Sequence, residues 1–154
     1  METHDYQKTI TINKPAGEVY AAITKNIEAW WSNDFSGAAA STGDQYTITF
    51  GKTQKTFEIV EAVLNEKVIW LCTKAHINLA TLTKKDEWVG THLIWTLNST
   101  GHGTKLNFLH QGLNKNFECY GVCEAGWDYF INSLYAYLTT GAGTPYLKME
   151  ELLA

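Results

Sequence analysis

The side chains of this chain that could do chemistry are five histidines, three cysteines and scattered carboxylates. His110 comes first. It falls in TKLNFLHQ, residues 104–111, where it shares strand parity with Leu106 and Phe108, so it faces the side they face. One imidazole among apolar neighbours can orient a polar ligand group or act as a general base. The commoner arrangement is a core histidine whose nitrogens are satisfied internally. If the protein is an enzyme, His110 is its acid or base.

Cys119 and Cys123 stand four apart in a helical stretch, hence on one face. With His110 they would supply three zinc ligands. The fourth would have to be Glu118 or Glu124, each pointing about 100° away from its neighbouring cysteine, so no metal site is expected. Helix geometry also disfavours a disulfide, and the pair reads as buried thiols acting as small hydrophobes. His4, His76, His92 and His102 are scattered, with His92 and His102 expected in solvent. Glu58 and Glu61 lie on opposite faces of one strand, and Asp86 and Glu87 read as solvated residues opening another. Neither a nucleophile elbow nor triad spacing is present, and no cofactor is implied.

The elements that must position these groups follow from periodicity. Residues 6–13 alternate, with Tyr6, Ile10 and Ile12 in phase, and read as a strand. Pro15 suits a helix's first turn; Val19, Tyr20, Ile23 and Ile27 then recur at helical spacing, giving a helix over 15–24 and a second short one to Trp31. Strands follow at 43–51, 56–63, 67–73, 87–98 and 104–111, joined by short turns as in an antiparallel meander. VIWLCT in the third of these is nearly continuous in apolar residues, which suggests burial on both faces. In the fourth, Val89, Thr91, Leu93, Trp95 and Leu97 share a face. The connection 75–87 is long and partly apolar, fit to fold over a pocket rim or to pad the sheet edge.

The last element is a helix from about residue 116 to 140. Ile131, Leu134 and Leu138 fall within about 40° of Trp127, and Phe130, Tyr135 and Tyr137 widen the stripe to roughly 160°. Asn132, Ser133 and Ala136 take the other side. Gly141, Gly143 and Pro145 end it. Helices on one face of an antiparallel sheet make an α+β fold, and a curved sheet around one wide-faced helix leaves room for an apolar ligand pocket.

Composition removes other classes. The chain has 154 residues, 45% of them hydrophobic and 18% charged, enough for one domain, 1–154, with its own core. Net charge is −4, and the densest basic run is Lys84-Lys85, so there is no nucleic-acid footprint. No apolar run approaches the length of a membrane span. The amino-terminal METHDYQKTITI lacks the pattern of a signal peptide, so a cytoplasmic protein with reduced thiols is expected.

The order of motifs carries a resemblance. NKPAGEVYAAITKNIEAWW, then GDQYTITFG, VIW, EWVGTHLIWTL, GTKLNFLHQGL and CYGVCEAGWDYFINSLYAYLTTGAGTP resemble the START-like (SRPBCC) superfamily, in its group related to activators of a heat-shock chaperone ATPase. The resemblance implies a helix-grip fold, in which a curved antiparallel sheet wraps a long C-terminal helix around a cavity, with two short helices after the first strand. The eukaryotic co-chaperone carries a further N-terminal domain for which this sequence has no room, so a chaperone partner ranks behind a small apolar or amphipathic ligand. The expected walls are Trp70, Leu93, Trp95, Phe108 and His110 from the sheet and Trp127, Phe130, Ile131 and Leu134 from the helix. Trp30, Trp31 and Tyr46 are expected at the mouth. A cyclase or hydrolase using His110 in the same cavity, and a chaperone-associated interaction module, are the alternatives; a monomer and a homodimer are both compatible.

Overall fold

A computed structural model describes residues 4–148. β1 (Tyr6–Ile12) leads to α1 (Ala16–Thr24) and a single 3-10 turn (Ile27–Ala29). Then come β2 (Phe35–Gly37), β3 (Gln45–Phe50), β4 (Thr53–Val63), β5 (Lys67–His76), β6 (His92–Thr100), β7 (Gly103–Gln111) and α2 (Tyr120–Thr140). The seven strands form one sheet in the order β1-β7-β6-β5-β4-β3-β2, every pair antiparallel. This is the expected helix-grip architecture. The first strand of the chain flanks the last at one edge of the sheet, and the rest is a meander in which the connection from β5 to β6, residues 77–91, is the long one.

One face of the sheet carries the core. Val68, Trp70 and Cys72 on β5 alternate with half-buried Ile69 and Leu71, so β5 is buried on one face and not on both; its outer apolar residues remain on the open side. Leu93, Trp95 and Leu97 on β6 and Leu106, Phe108 and His110 on β7 keep the same alternation. β6 begins only at His92, because Asp86–Gly90 makes a turn in which Gly90 has φ 90°. That turn reverses the expected faces: Val89 is exposed and Trp88 is buried. The second short helix is a 3-10 turn, too brief to build an α-helical ladder.

α2 lies across this face and is tied to β1 where Tyr6 OH donates to Asp128 (2.7 Å). Its Ile131, Leu134 and Leu138 are buried as the wide stripe predicts. Ser133 is buried too, against expectation, because the far side of α2 is also covered. Its Oγ donates to Trp30 O and accepts from Thr144 N–H, both at 2.7 Å. The chain after Gly141 (φ 89°) turns back here, and a Cβ on Gly143 would stand 2.6 Å from Ala29 O, so only glycine allows the approach. Tyr135, expected on the stripe, faces solvent. Among the described residues no helix is long and apolar enough to cross a membrane.

Candidate functional site

All six tryptophans are buried, and they decide where space remains. Trp70 and Trp95 pack 5.3 Å apart, Trp95 and Phe108 4.2 Å, and Phe108 and Trp127 4.4 Å between ring centroids. These rings fill the middle of the sheet–helix interface, where an enclosed chamber was expected. Tyr46 OH and the indole nitrogens of Trp70 and Trp95 are left there without a hydrogen-bond partner. Burial raises the Tyr46 phenol well above its ordinary value.

The space lies instead at one end of the interface, as an open-sided pocket of about 230 Å³. Phe50, Thr53 and Lys55 line it from the β3–β4 hairpin, Ile77, Leu79 and Trp88 from the connection before β6, and Cys123, Gly126, Trp127 and Phe130 from α2, with Val122 at the helix edge. Trp31 completes the lining. Its ring stacks on Trp127 at 5.1 Å, and Trp127 stacks on Trp88 at 5.9 Å and 11°, so three indoles form one row along the pocket. Gly126 is a glycine within α2, and a Cβ there would meet nothing within 4 Å.

The connection over this pocket is held to the start of α2 by reciprocal carboxylates. The Glu87 carboxylate accepts from the backbone N–H groups of Glu118 (3.1 Å) and Cys119 (3.3 Å). It therefore satisfies donors at a helix start whose own N-cap side chain makes no cap. Glu118 reaches the other way and accepts from Thr83 Oγ (2.7 Å) and Lys84 N–H (2.9 Å), which lowers its carboxyl pKa. Glu87 is thus a capping residue and not the solvated strand opener its neighbours suggest. Lys85 Nζ donates to the carbonyls of Leu79 and Leu82, pinning the segment's own turn.

Among the described residues, Lys55 is the one cation lining the pocket. In register it lies between Ile48 of β3 and Ala75 of β5, and it shares inward parity with Phe57 and Ile59. Its ammonium stands 3.8 Å from the centre of the Trp88 ring and 5.4 Å from that of Phe50, a cation–π arrangement. Among the described residues it has no carboxylate within ion-pair distance. Desolvation lowers its pKa, opposed in part by the nearby cysteines.

Cys119 Sγ and Cys123 Sγ are 2.7 Å apart, and Trp88 Nε1–H donates to Cys123 Sγ at 3.4 Å. The shared hydrogen bond lowers the Cys123 pKa and raises that of Cys119, and the charge on Lys55 adds to the first effect. All three cysteines are free and buried. Among the described residues no cluster of three or more His, Cys, Asp or Glu is placed to hold a metal ion.

His110 sits behind the pocket wall. Trp127 Nε1–H donates to His110 Nδ1 at 3.1 Å, so the ring proton belongs on Nε2, which donates to Thr91 Oγ at 2.8 Å. Thr91 in turn donates to Trp88 O at 2.7 Å. Both imidazole nitrogens are committed, and burial, with the charge on Lys55 second, holds the His110 pKa well below its ordinary value. The chain of bonds holds the Trp127 indole and the Trp88 backbone, two of the three tryptophans that line the pocket.

Of the residues named from sequence, the structure brings Trp31, Trp127 and Phe130 to the pocket. Trp30, Tyr46, Trp70, Leu93, Trp95, Phe108, Ile131 and Leu134 lie in the close-packed core and do not line it. Lys55, Trp88 and Gly126 are among the lining residues that sequence reasoning missed, with Phe50, Thr53, Val122 and Cys123 beside them. Lys55 left a signal: a cation two residues before Phe57, in phase with a buried strand face.

A seven-stranded antiparallel sheet around a C-terminal helix defines a START-like protein. The chain belongs to the family described as activator of Hsp90 ATPase homolog 1-like protein, whose model matches residues 13–139. No curated protein matches it. It is similar in fold to the Aha1 dimer of Colwellia psychrerythraea, with TM-score 0.73 and 23% identity over 93% of this chain and 100% of that one. It is similar also to protein MLL2253 of Mesorhizobium loti, with TM-score 0.71 and 21% identity over 89% and 96% of the two chains. DynU16, a putative protein in the dynemicin biosynthetic locus, has TM-score 0.69 and 21% identity over 92% of this chain, which spans 50% of DynU16.

Proposed function

We propose that this protein binds a small apolar or amphipathic molecule in the pocket between the β3–β4 hairpin, the segment before β6 and α2. The observation that carries this reading is the row of indoles facing an open-sided space of about 230 Å³. A cavity of ~150 Å³ with apolar walls takes up benzene, so a ring or a short chain fits. Burying roughly 200 Å² of apolar ligand surface gives roughly 5 kcal/mol before ordering costs, which suits a small guest held reversibly. Free thiols on all three cysteines support a reducing compartment, the cytoplasm, as its location. The Colwellia protein is a dimer, and a homodimer is the assembly we infer by analogy. A catalytic role for His110 is not favoured, because both its nitrogens are occupied and it does not line the pocket.

The test is a titration of 1-octanol and toluene followed through the indole N–H resonances of Trp88 and Trp127. Saturable shifts in the wild type, absent from a Gly126→Leu variant, are expected. Leucine there projects into open pocket space and closes it without disturbing the core. Resonances that do not move with either probe would overturn the reading. Native mass spectrometry of freshly purified protein adds the identity of any guest carried through purification.

A further inference from the structure

We infer that the guest is an amphipathic anion, a monocarboxylic acid with a compact apolar tail, whose carboxylate pairs with Lys55 while the tail lies along the indoles. This rests on the pocket reading above and narrows it. A lysine on the inward face of a strand normally brings a carboxylate or a set of carbonyls with it. Lys55 has only the faces of Trp88 and Phe50, and among the described residues neither salt bridge involves it. The two carboxylates that tie the segment before β6 to α2 are already engaged. Glu87 and Glu118 accept from backbone N–H groups and Thr83, and Lys85, the other nearby cation, is held by two carbonyls.

The remaining polar atoms of the lining are neutral and offer a carboxylate no counter-charge. Thr53 Oγ accepts from Asn78 N–H at 3.0 Å, and Cys123 Sγ shares its hydrogen bond with Cys119. Lys55 is therefore the charged anchor in a largely apolar pocket, the pattern by which such sites fix ligand orientation. An ammonium over an aromatic face keeps two of its three donors free for a carboxylate. A cationic guest would meet Lys55 head-on; a neutral one would leave it without a counter-charge. Partial burial strengthens the pairing over that of a surface ion pair.

Octanoate and 1-octanol share a tail and differ in the head, so their comparison in the wild-type protein tests the inference without a variant. Octanoate is expected to bind at least about tenfold more tightly by indole N–H titration, with the Trp88 resonance moving most. In Lys55→Met, where the stem's apolar volume is kept, the two affinities should converge. Equal affinities in the wild type would overturn the anion inference and leave the pocket reading standing. Binding of octanoate that survives Gly126→Leu unchanged would place it elsewhere and overturn the inference. Binding of neither probe would overturn both readings.

Discussion

Acid should loosen this protein through one buried ring. His110 is fully buried, accepts from Trp127 and donates to Thr91. A second ring proton, on Nδ1, would point at the indole N–H that now donates to it. The folded imidazole therefore stays neutral, with a pKa well below 6.5, because burial and then Lys55 oppose the charge. In the unfolded chain the same ring titrates near 6.5. Below that pH the unfolded state binds one more proton than the native state, so stability falls as pH falls. Above it both states carry a neutral ring and the effect vanishes. While the folded ring stays neutral, each pH unit below 6.5 removes about 1.4 kcal/mol, and pH 5 costs about 2 kcal/mol relative to pH 8. For a chain of this length that is a fall of roughly 4–8 °C in Tm. Other groups also titrate in this window, so the comparison is with His110→Gln, whose amide can accept from Trp127 and donate to Thr91 without gaining a proton. Urea unfolding followed by tryptophan fluorescence should show the wild type losing about 2 kcal/mol more than His110→Gln between pH 8 and pH 5. Parallel pH profiles for the two proteins would refute the reasoning, since they would mean that His110 protonates as readily folded as unfolded.

Three further substitutions probe the packing directly. Gly126 lies within α2 with open space beyond it, so Gly126→Ala should stabilise by about 1 kcal/mol and raise Tm by a few degrees in a thermal melt; a fall would mean that the glycine is needed for close packing. Tyr46 OH is buried and unpaired, so Tyr46→Phe should leave stability unchanged or raise it by about 1 kcal/mol, and a loss of that size in urea unfolding would show that the hydroxyl has a partner. Ser133→Ala strands the Trp30 carbonyl and the Thr144 N–H, which should cost about 2 kcal/mol, read as a fall of roughly 4–8 °C in Tm; a change under 1 °C would show that water reaches both groups.

The fold was legible because its signals are periodic. Alternation at Leu106, Phe108 and His110, and helical spacing from Trp127 to Leu138, each survive a change of one or two residues at an element's end. Ser133 was not legible, because its burial comes from the returning chain after Gly141 and not from its own helix's stripe. Val89 was misassigned for a related reason: parity carried backwards from β6 fails at the turn around Gly90.

The pocket was hidden by a different limit. Aromatic residues on the inner faces predict that rings meet between sheet and helix, but rings that meet can enclose a space or fill it. Here Trp95, Phe108 and Trp127 fill it, with centroids 4.2 Å and 4.4 Å apart along the row. The opening falls where that packing ends, beside a glycine of α2 and a lysine on the inward face of β4. Both are departures from the core's pattern, one too small and one too polar. In a chain with so apolar an interior, the residues that break the hydrophobic phase locate the site better than those that obey it. His110 and Lys55 differ in how they are satisfied: each interrupts an apolar strand face, but the histidine has hydrogen-bond partners within the fold, while the lysine ammonium lies against the rings of Trp88 and Phe50.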